Sequence, residues 1–246
     1  MLKWFSQKKK EEILDSIDFS IIKTDLHSHL IPGIDDGSPD LESSILLIKE
    51  LVKLGYKKII TTPHIMSDIY RNSPENILSG LQELKKEIQK QKIQVDIEAA
   101  AEYYIDFEFE QKIAEKKFLT FGDNYILIEL SFSQAPNNLF DIIFKLQLEG
   151  YKVVLAHPER YGYYQKEHYD EFINRGVFLQ INLLSLIGHY SPQIQSKTED
   201  LIANNQVSFV GSDCHNMRHA QLYIECQNKK SWHDLVNSGK LLNYKL

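Results

Sequence analysis

The sequence predicts an α/β fold built on a parallel barrel, and three observations carry that prediction. Short apolar runs alternate with amphipathic helical stretches from residue 21 to the C-terminus. The links between them are short, which favours a closed or nearly closed parallel barrel over separate domains. The chain has 246 residues, a length that one barrel can occupy as a single unit. Residues 1–20 read as an N-terminal extension and 21–246 as one barrel domain.

The elements follow in order. Ile21–Leu26 reads as the first strand, and Leu41, Ile45, Ile48 and Val52 mark a helix that stops at Gly55. Lys58–Thr62 is a second strand ended by Pro63. Ser73-Pro74 supplies an N-cap and a first-turn proline for a helix carrying Ile77, Leu81, Leu84 and Ile88. Val95–Ala101 is the third strand, and a polar helix over Phe107–Lys117 follows. Tyr125–Leu130 is the fourth, with the continuous apolar character of a strand covered on both faces. A helix through Leu139, Ile142, Ile143 and Leu146 leads to the fifth strand, Lys152–Ala156. A helix near Tyr169–Asn174 precedes the sixth, Val177–Asn182. Ser191-Pro192 caps a helix before the seventh, Val207–Gly211, and one or two helices over Met217–Gly239 close the chain.

Composition excludes several classes. Hydrophobic residues at 43% and charged residues at 25% are ordinary for a globular protein and argue against disorder. A net charge of −6 argues against broad nucleic-acid binding. Two cysteines, Cys214 and Cys226, make no disulfide framework, which suits a reducing compartment. With no signal-peptide pattern and no long apolar span, the expectation is a cytoplasmic protein without stable membrane insertion. The Lys8-Lys9-Lys10 cluster reads as a solvated face, with weak attraction to anionic lipid as the alternative.

The informative residues sit at the strand ends. His27 and His29 follow the first strand, and His64 the second. Glu102 follows the third, Glu129 ends the fourth, His157 the fifth, and Asp213 and His215 follow the seventh. In a parallel barrel these ends meet on one face. Alone, each residue has an ordinary structural explanation: a satisfied core histidine, a solvated carboxylate. Together, five of the nine histidines and three carboxylates converge, and the carboxylates would repel unless cations lay between them. Asp35 and Asp36, in the Leu30–Ser38 loop, are open to either a site role or an ordinary turn or N-cap role.

Thr24–Gly37 (TDLHSHLIPGIDDG) resembles the opening motif of the polymerase-and-histidinol-phosphatase (PHP) superfamily, and more narrowly its bacterial capsule-associated, manganese-dependent tyrosine phosphatases. The resemblance continues through Thr62-Pro63-His64, Ala101-Glu102, Glu129, His157–Tyr161 and Gly211–His215. It implies a distorted seven-stranded barrel holding three divalent ions, manganese first, with iron or zinc as alternatives. By motif position, His27, His29, Glu102 and Asp213 would hold the first ion. Glu102, Glu129 and His157 would hold the second, and Asp36, His64 and His215 the third. Three divalent ions against these carboxylates and a hydroxide leave a small positive balance, suited to a phosphate dianion.

The expected reaction is attack of a metal-bound hydroxide on phosphotyrosine, with Arg160 and Arg218 gripping non-bridging oxygens. A surface ion pair is the plain alternative for each arginine. The implied substrate is a bacterial tyrosine kinase of polysaccharide export; the oligomeric state is undetermined. A histidinol-phosphate or other small phosphomonoester phosphatase is the second reading. A non-catalytic phosphotyrosine-binding module is the third. Cys214 lacks the Cys-x5-Arg loop of cysteine-dependent phosphatases and reads as filler. Tyr161, Tyr163, Tyr164 and Tyr169 are expected either to wall the mouth or to cover the barrel end. Met66, Tyr70 and Arg71 are rim candidates. His168, His189, His219 and His233 are expected at the surface, with His219 nearest the site.

Overall fold

Strands covered on both faces need apolar residues at successive positions, and this chain places such runs where the barrel wall forms. The structure is a computed structural model that describes residues 14–246; the lysine cluster lies outside them. Nine short strands are present in that span. In the first sheet β1 (Thr24–Asp25), β2 (Lys58–Thr61) and β4 (Asp96–Ala99) pair in the order β1-β2-β4. The second holds β3 (His64–Ile65), β5 (Glu102–Tyr104), β6 (Tyr125–Glu129), β7 (Lys152–Ala156), β8 (Phe178–Asn182) and β9 (Phe209–Gly211), in the order β3-β5-β6-β7-β8-β9. Every pairing is parallel.

The two sheets form one wall with a break across it. β2 runs into β3 through Thr62-Pro63, and β4 into β5 through Ala100-Ala101, so the nine segments make seven staves. Pro63 has no N–H to give the ladder, but its carbonyl accepts from Glu102 N at 3.1 Å and holds the two staves together. The wall closes through a parallel bridge, Ser28 to Cys214, flanked by Asp213 N→His27 O at 2.7 Å and His29 N→Cys214 O at 3.0 Å. The result is the expected distorted seven-stave barrel.

Among the described residues eight helices pack outside it: α1 (Leu41–Lys53), α2 (Pro74–Lys90), α3 (Phe107–Lys112), α4 (Leu139–Leu148), α5 (Lys166–Asn174), α6 (Pro192–Ala203), α7 (Met217–Leu222) and α8 (Lys230–Asn237). Ser73 and Asn76 form a reciprocal capping box at α2, and Ser191 caps α6. One apolar layer fills the barrel interior below the mouth, with Leu26, Ile60, Leu127, Val154 and Phe209 all fully buried. Each such side chain contributes about 1.5–3 kcal/mol. No helix among the described residues is long and apolar enough to cross a membrane.

Several expected elements are shorter, among them the third strand, reduced to Asp96–Ala99, and the seventh, reduced to Phe209–Gly211; two others have a clear local cause. The first strand reduces to Thr24–Asp25, because Phe19–Ile21 forms a 3₁₀ turn and Lys23 adopts φ 63°. Phe19 is fully buried and stacks on Tyr56, with ring centroids 5.2 Å apart. The helix expected over Phe107–Lys117 ends as α3 plus a 3₁₀ turn, Ile113–Glu115, where Lys116 turns left-handed.

Candidate metal centre

Short strands bring their C-terminal ends to one mouth, and the extended backbone sets side-chain direction there. His27 and His29 are two residues apart, so both point the same way. Ser28 between them makes the closing bridge. His64 and Glu102 face each other in register on β3 and β5. His157 and Asp213, just past β7 and β9, take left-handed backbone conformations (φ 32° and 55°). For residues other than glycine that costs about 1–3 kcal/mol each, a strain that accumulates at functional sites. Two glycines admit the close approach: a Cβ on Gly211 would lie 2.5 Å from His27 Cβ, and one on Gly37 2.3 Å from the His29 carbonyl oxygen.

All nine residues expected as ligands meet at this mouth. His27 Nε2 lies 3.2 Å from Glu102 Oε2 and 3.5 Å from Asp213 Oδ1. His29 Nε2 lies 3.5 and 3.4 Å from the same two oxygens. The other oxygen of Glu102, Oε1, is 3.1 Å from His157 Nε2, which is 3.5 Å from Glu129 Oε1. Glu102 thus stands between two clusters, one oxygen toward each. A third gathers His64 and His215, each with Nε2 3.5 Å from Asp36 Oδ1. Three overlapping groups of these residues have donor atoms close enough to share an ion: His29-Asp36-His64-His215, His27-His29-Asp213 and His64-Glu102-Glu129.

The chemistry of the donors fits cations. Glu102 Oε2 and His64 Nδ1 are buried 3.1 Å apart, yet neither has a hydrogen-bond partner. Buried polar atoms are seldom left unpaired without a reason. Imidazole and carboxylate without thiolate suit manganese, iron or zinc.

Outer partners aim the imidazoles. His27 Nδ1 meets Gln180 Oε1 at 2.8 Å, and His29 Nδ1 meets Asp35 Oδ2 at 2.8 Å, leaving both Nε2 atoms to face the cluster. Asp35 also accepts from His64 N and Gly37 N, both at 3.0 Å. The two adjacent aspartates therefore divide the work, Asp36 toward the cluster and Asp35 behind it. Asn182 Nδ2 donates to Asp213 Oδ2 at 2.6 Å.

Crowding shows in the titration of these groups. Burial, then the charges of Glu102 and Asp213, push Glu129 up to about 9. Burial acts on Glu102 in the same direction, but His27, His64 and His157 outweigh it and hold Glu102 well below the usual range. Burial and the Arg160 charge lower His157 to about 4. Asp35, despite burial, is held at about 2, chiefly by His29. Without cations Glu129, buried and crowded by Glu102 and Asp213, is the carboxyl that keeps its proton.

The cluster forms the floor of a cleft of about 350 Å³ walled by Phe132, Arg160, Tyr190 and His219. The Arg160 guanidinium lies between two rings, 4.6 Å from the Phe132 centroid and 4.5 Å from that of Tyr190, with Nη1 3.3 Å from Asp213 Oδ2. Arg218 is exposed on α7 and is not among the cleft-lining residues. Phe132 and Tyr190 escape sequence reading; the only signal is an aromatic three residues after Glu129. Tyr161, Tyr164 and Tyr169 are buried instead and cover the barrel end, with Tyr161 Oη accepting from Leu130 N at 3.0 Å. Tyr70 stacks on His64, centroids 5.4 Å apart. Cys214 is fully buried, and burial pushes its thiol up to about 12, so it is no nucleophile.

A parallel α/β barrel whose strand ends carry a carboxylate-bridged cluster of imidazoles defines the class of metal-dependent barrel hydrolases. Within that class the chain belongs to the capsular polysaccharide synthesis CpsB/CapC family, whose family model matches residues 23–231. It is 33% identical to the tyrosine-protein phosphatase YwqE of Bacillus subtilis over 197 residues, covering 79% of this chain and 78% of that protein. It is 28% identical to the tyrosine-protein phosphatase CpsB of Streptococcus agalactiae, covering 78% and 83%. A solved structure from work on YwqE of B. subtilis and CpsB of Streptococcus pneumoniae, described as unique metal-dependent tyrosine phosphatases, superposes with a TM-score of 0.77 at 31% identity, over 91% of this chain and 95% of that one. A histidinol phosphate phosphatase from Lactococcus lactis shares the fold, with a TM-score of 0.56 at 15% identity over 88% of this chain and 94% of that one.

Proposed function

We infer that this protein is a metal-dependent tyrosine-protein phosphatase acting on phosphotyrosine in protein. The single observation that carries the inference is the convergence of nine imidazole and carboxylate side chains from six staves, in a member of a family whose relatives have that activity. Manganese is the proposed metal and three the proposed number of ions, with His27, His29, Asp36, His64, Glu102, Glu129, His157, Asp213 and His215 as their ligands. The capsule context of the family supports a tyrosine kinase of polysaccharide export as the proposed protein substrate, and a cytoplasmic setting is proposed with it.

Divalent cations in this cage supply Lewis acidity toward the phosphate and an activated water. The side chains supply the rest. Glu102, with an oxygen toward each of two clusters, fixes their separation. Arg160 presents a planar fork of donors to non-bridging phosphate oxygens, and its two flanking rings and Asp213 hold the fork still. Arg218, exposed beside the mouth, is the second proposed phosphate contact and would have to swing inward. Phosphotyrosine leaves as a comparatively stable phenolate, so a dedicated general acid is unnecessary.

The deciding experiment compares kcat/KM for a phosphotyrosine peptide and for histidinol phosphate, with the enzyme stripped and then reloaded with manganese. Phosphotyrosine should be preferred, and activity should vanish on stripping and return on reloading. Preference for histidinol phosphate by about 100-fold would overturn the substrate assignment. Binding of phosphotyrosine without turnover would make the protein a binding module.

A further inference from the structure

A second cavity, of about 170 Å³, opens beside the catalytic cleft. Its walls continue those of the cleft residue by residue: Ile65 follows His64 on β3, and Tyr103 follows Glu102 on β5. His64 and Glu102 line the cleft, while the residues that follow them, Ile65 and Met66 on one stave and Tyr103 and Tyr104 on the next, line the second cavity. Tyr70, on the loop that follows, stacks on His64.

Most polar groups of this second cavity are already engaged within the protein. Asp106 accepts from Ser67 N and Oγ through one oxygen and from Phe109 N through the other. Asn72 donates to the carbonyls of Ile34 and His64, and Arg71 Nε to that of Ser67. Tyr103 Oη accepts from Leu119 N, and Lys112 pairs with Glu108. What remains to meet a ligand is mostly apolar, Ile65, Met66, Phe109, Phe118 and the ring of Tyr103, with Tyr104 and the terminal nitrogens of Arg71 as the polar groups left over. Two large apolar side chains close in sequence to its lining residues are exposed, Ile69 in the loop after β3 at 66% and Phe107 at the start of α3 at 77%.

We propose that this cavity is a substrate subsite that takes an apolar side chain two residues from the phosphotyrosine. The proposal rests on the phosphotyrosine reading above. In an extended peptide residues i and i+2 point to the same side and lie about 7 Å apart. When the phosphotyrosine enters the cleft, the side chain two positions away points down at the neighbouring cavity. The volume suits one such group, since an apolar cavity of about 150 Å³ accepts a benzene ring. Ile69 and Phe107 then flank the peptide, and their exposure in the free protein is accounted for.

The test uses the manganese-loaded enzyme and matched phosphotyrosine peptides carrying leucine or glycine two residues to either side, with p-nitrophenyl phosphate as the reference substrate. The wild type should prefer leucine on one side by about tenfold or more in kcat/KM. Met66→Asp, which puts a charge in the apolar wall, should bring that ratio toward one. Ile69→Ser, at an exposed position, should lower kcat/KM for peptides relative to p-nitrophenyl phosphate. A wild-type ratio below about twofold on both sides, or a full leucine preference in Met66→Asp, would overturn the subsite. Turnover of p-nitrophenyl phosphate with neither peptide cleaved would instead overturn the phosphotyrosine reading itself.

Discussion

Asp35→Asn is a sharp probe of how the cluster is held. The carboxylate serves three donors: Oδ2 takes His29 Nδ1 at 2.8 Å and His64 N at 3.0 Å, and Oδ1 takes Gly37 N at 3.0 Å. Asparagine has the same shape but a single acceptor oxygen. If that oxygen replaces Oδ2, the amide NH₂ faces the Gly37 N–H, donor against donor. If it replaces Oδ1, the His29 Nδ1 proton and His64 N lose their acceptor. No amide orientation serves all three.

The size of the loss follows from how far His29 and the backbone donors hold the Asp35 carboxyl below its ordinary range. Holding Asp35 at about 2 instead of 3.8 corresponds to about 2 kcal/mol. That stabilisation is present above the ordinary carboxyl pKa and disappears as pH falls toward 2, so neutral pH reads all of it. Because the anchor belongs to an imidazole that would ligate metal, affinity for manganese should fall about 10–100-fold. The assay is a manganese titration of the stripped protein, followed by calorimetry and by recovered phosphatase activity. Affinity within twofold of wild type would refute the claim that Asp35 aims His29.

Two further outcomes follow from the same site. Chelation should lower Tm and make stability depend on pH: with Glu129 at about 9 when folded and near the usual value of 4.5 when unfolded, the stripped protein should lose stability as pH rises across that interval, and manganese should remove the dependence. Melting scans with and without manganese between those pH values check this, and a flat stripped profile counts against the crowded carboxylates. Cys214→Ser should keep activity within about threefold, whereas His27→Ala and Asp213→Ala should each lose more than the 10–100-fold typical of an outer partner. Steady-state rates on p-nitrophenyl phosphate decide it, and the reverse order would refute a cation-based reaction.

The barrel and most of the site are written in the linear chain, because both depend on spacing. Strand–helix alternation with short links leaves few architectures, and residues at the ends of parallel strands must share a face. That is why His27, Glu129 and Asp213, far apart in the chain, can be placed together before any coordinates exist. Other features depend on direction and packing, which spacing does not contain. Asp35 and Asp36 are adjacent and chemically identical; only the folded loop, passing Gly37 close under the His29 carbonyl, turns one toward the cluster and the other behind it. The tyrosine-rich segment after β7 could by its sequence either wall the mouth or cover the barrel end; packing buries Tyr161 and leaves the mouth to Phe132 and Tyr190 from two other loops. The left-handed turns at His157 and Asp213 likewise exist only because the closed barrel compensates their strain. Local spacing determines which groups arrive at the mouth, and tertiary packing decides which atoms of those groups face inward.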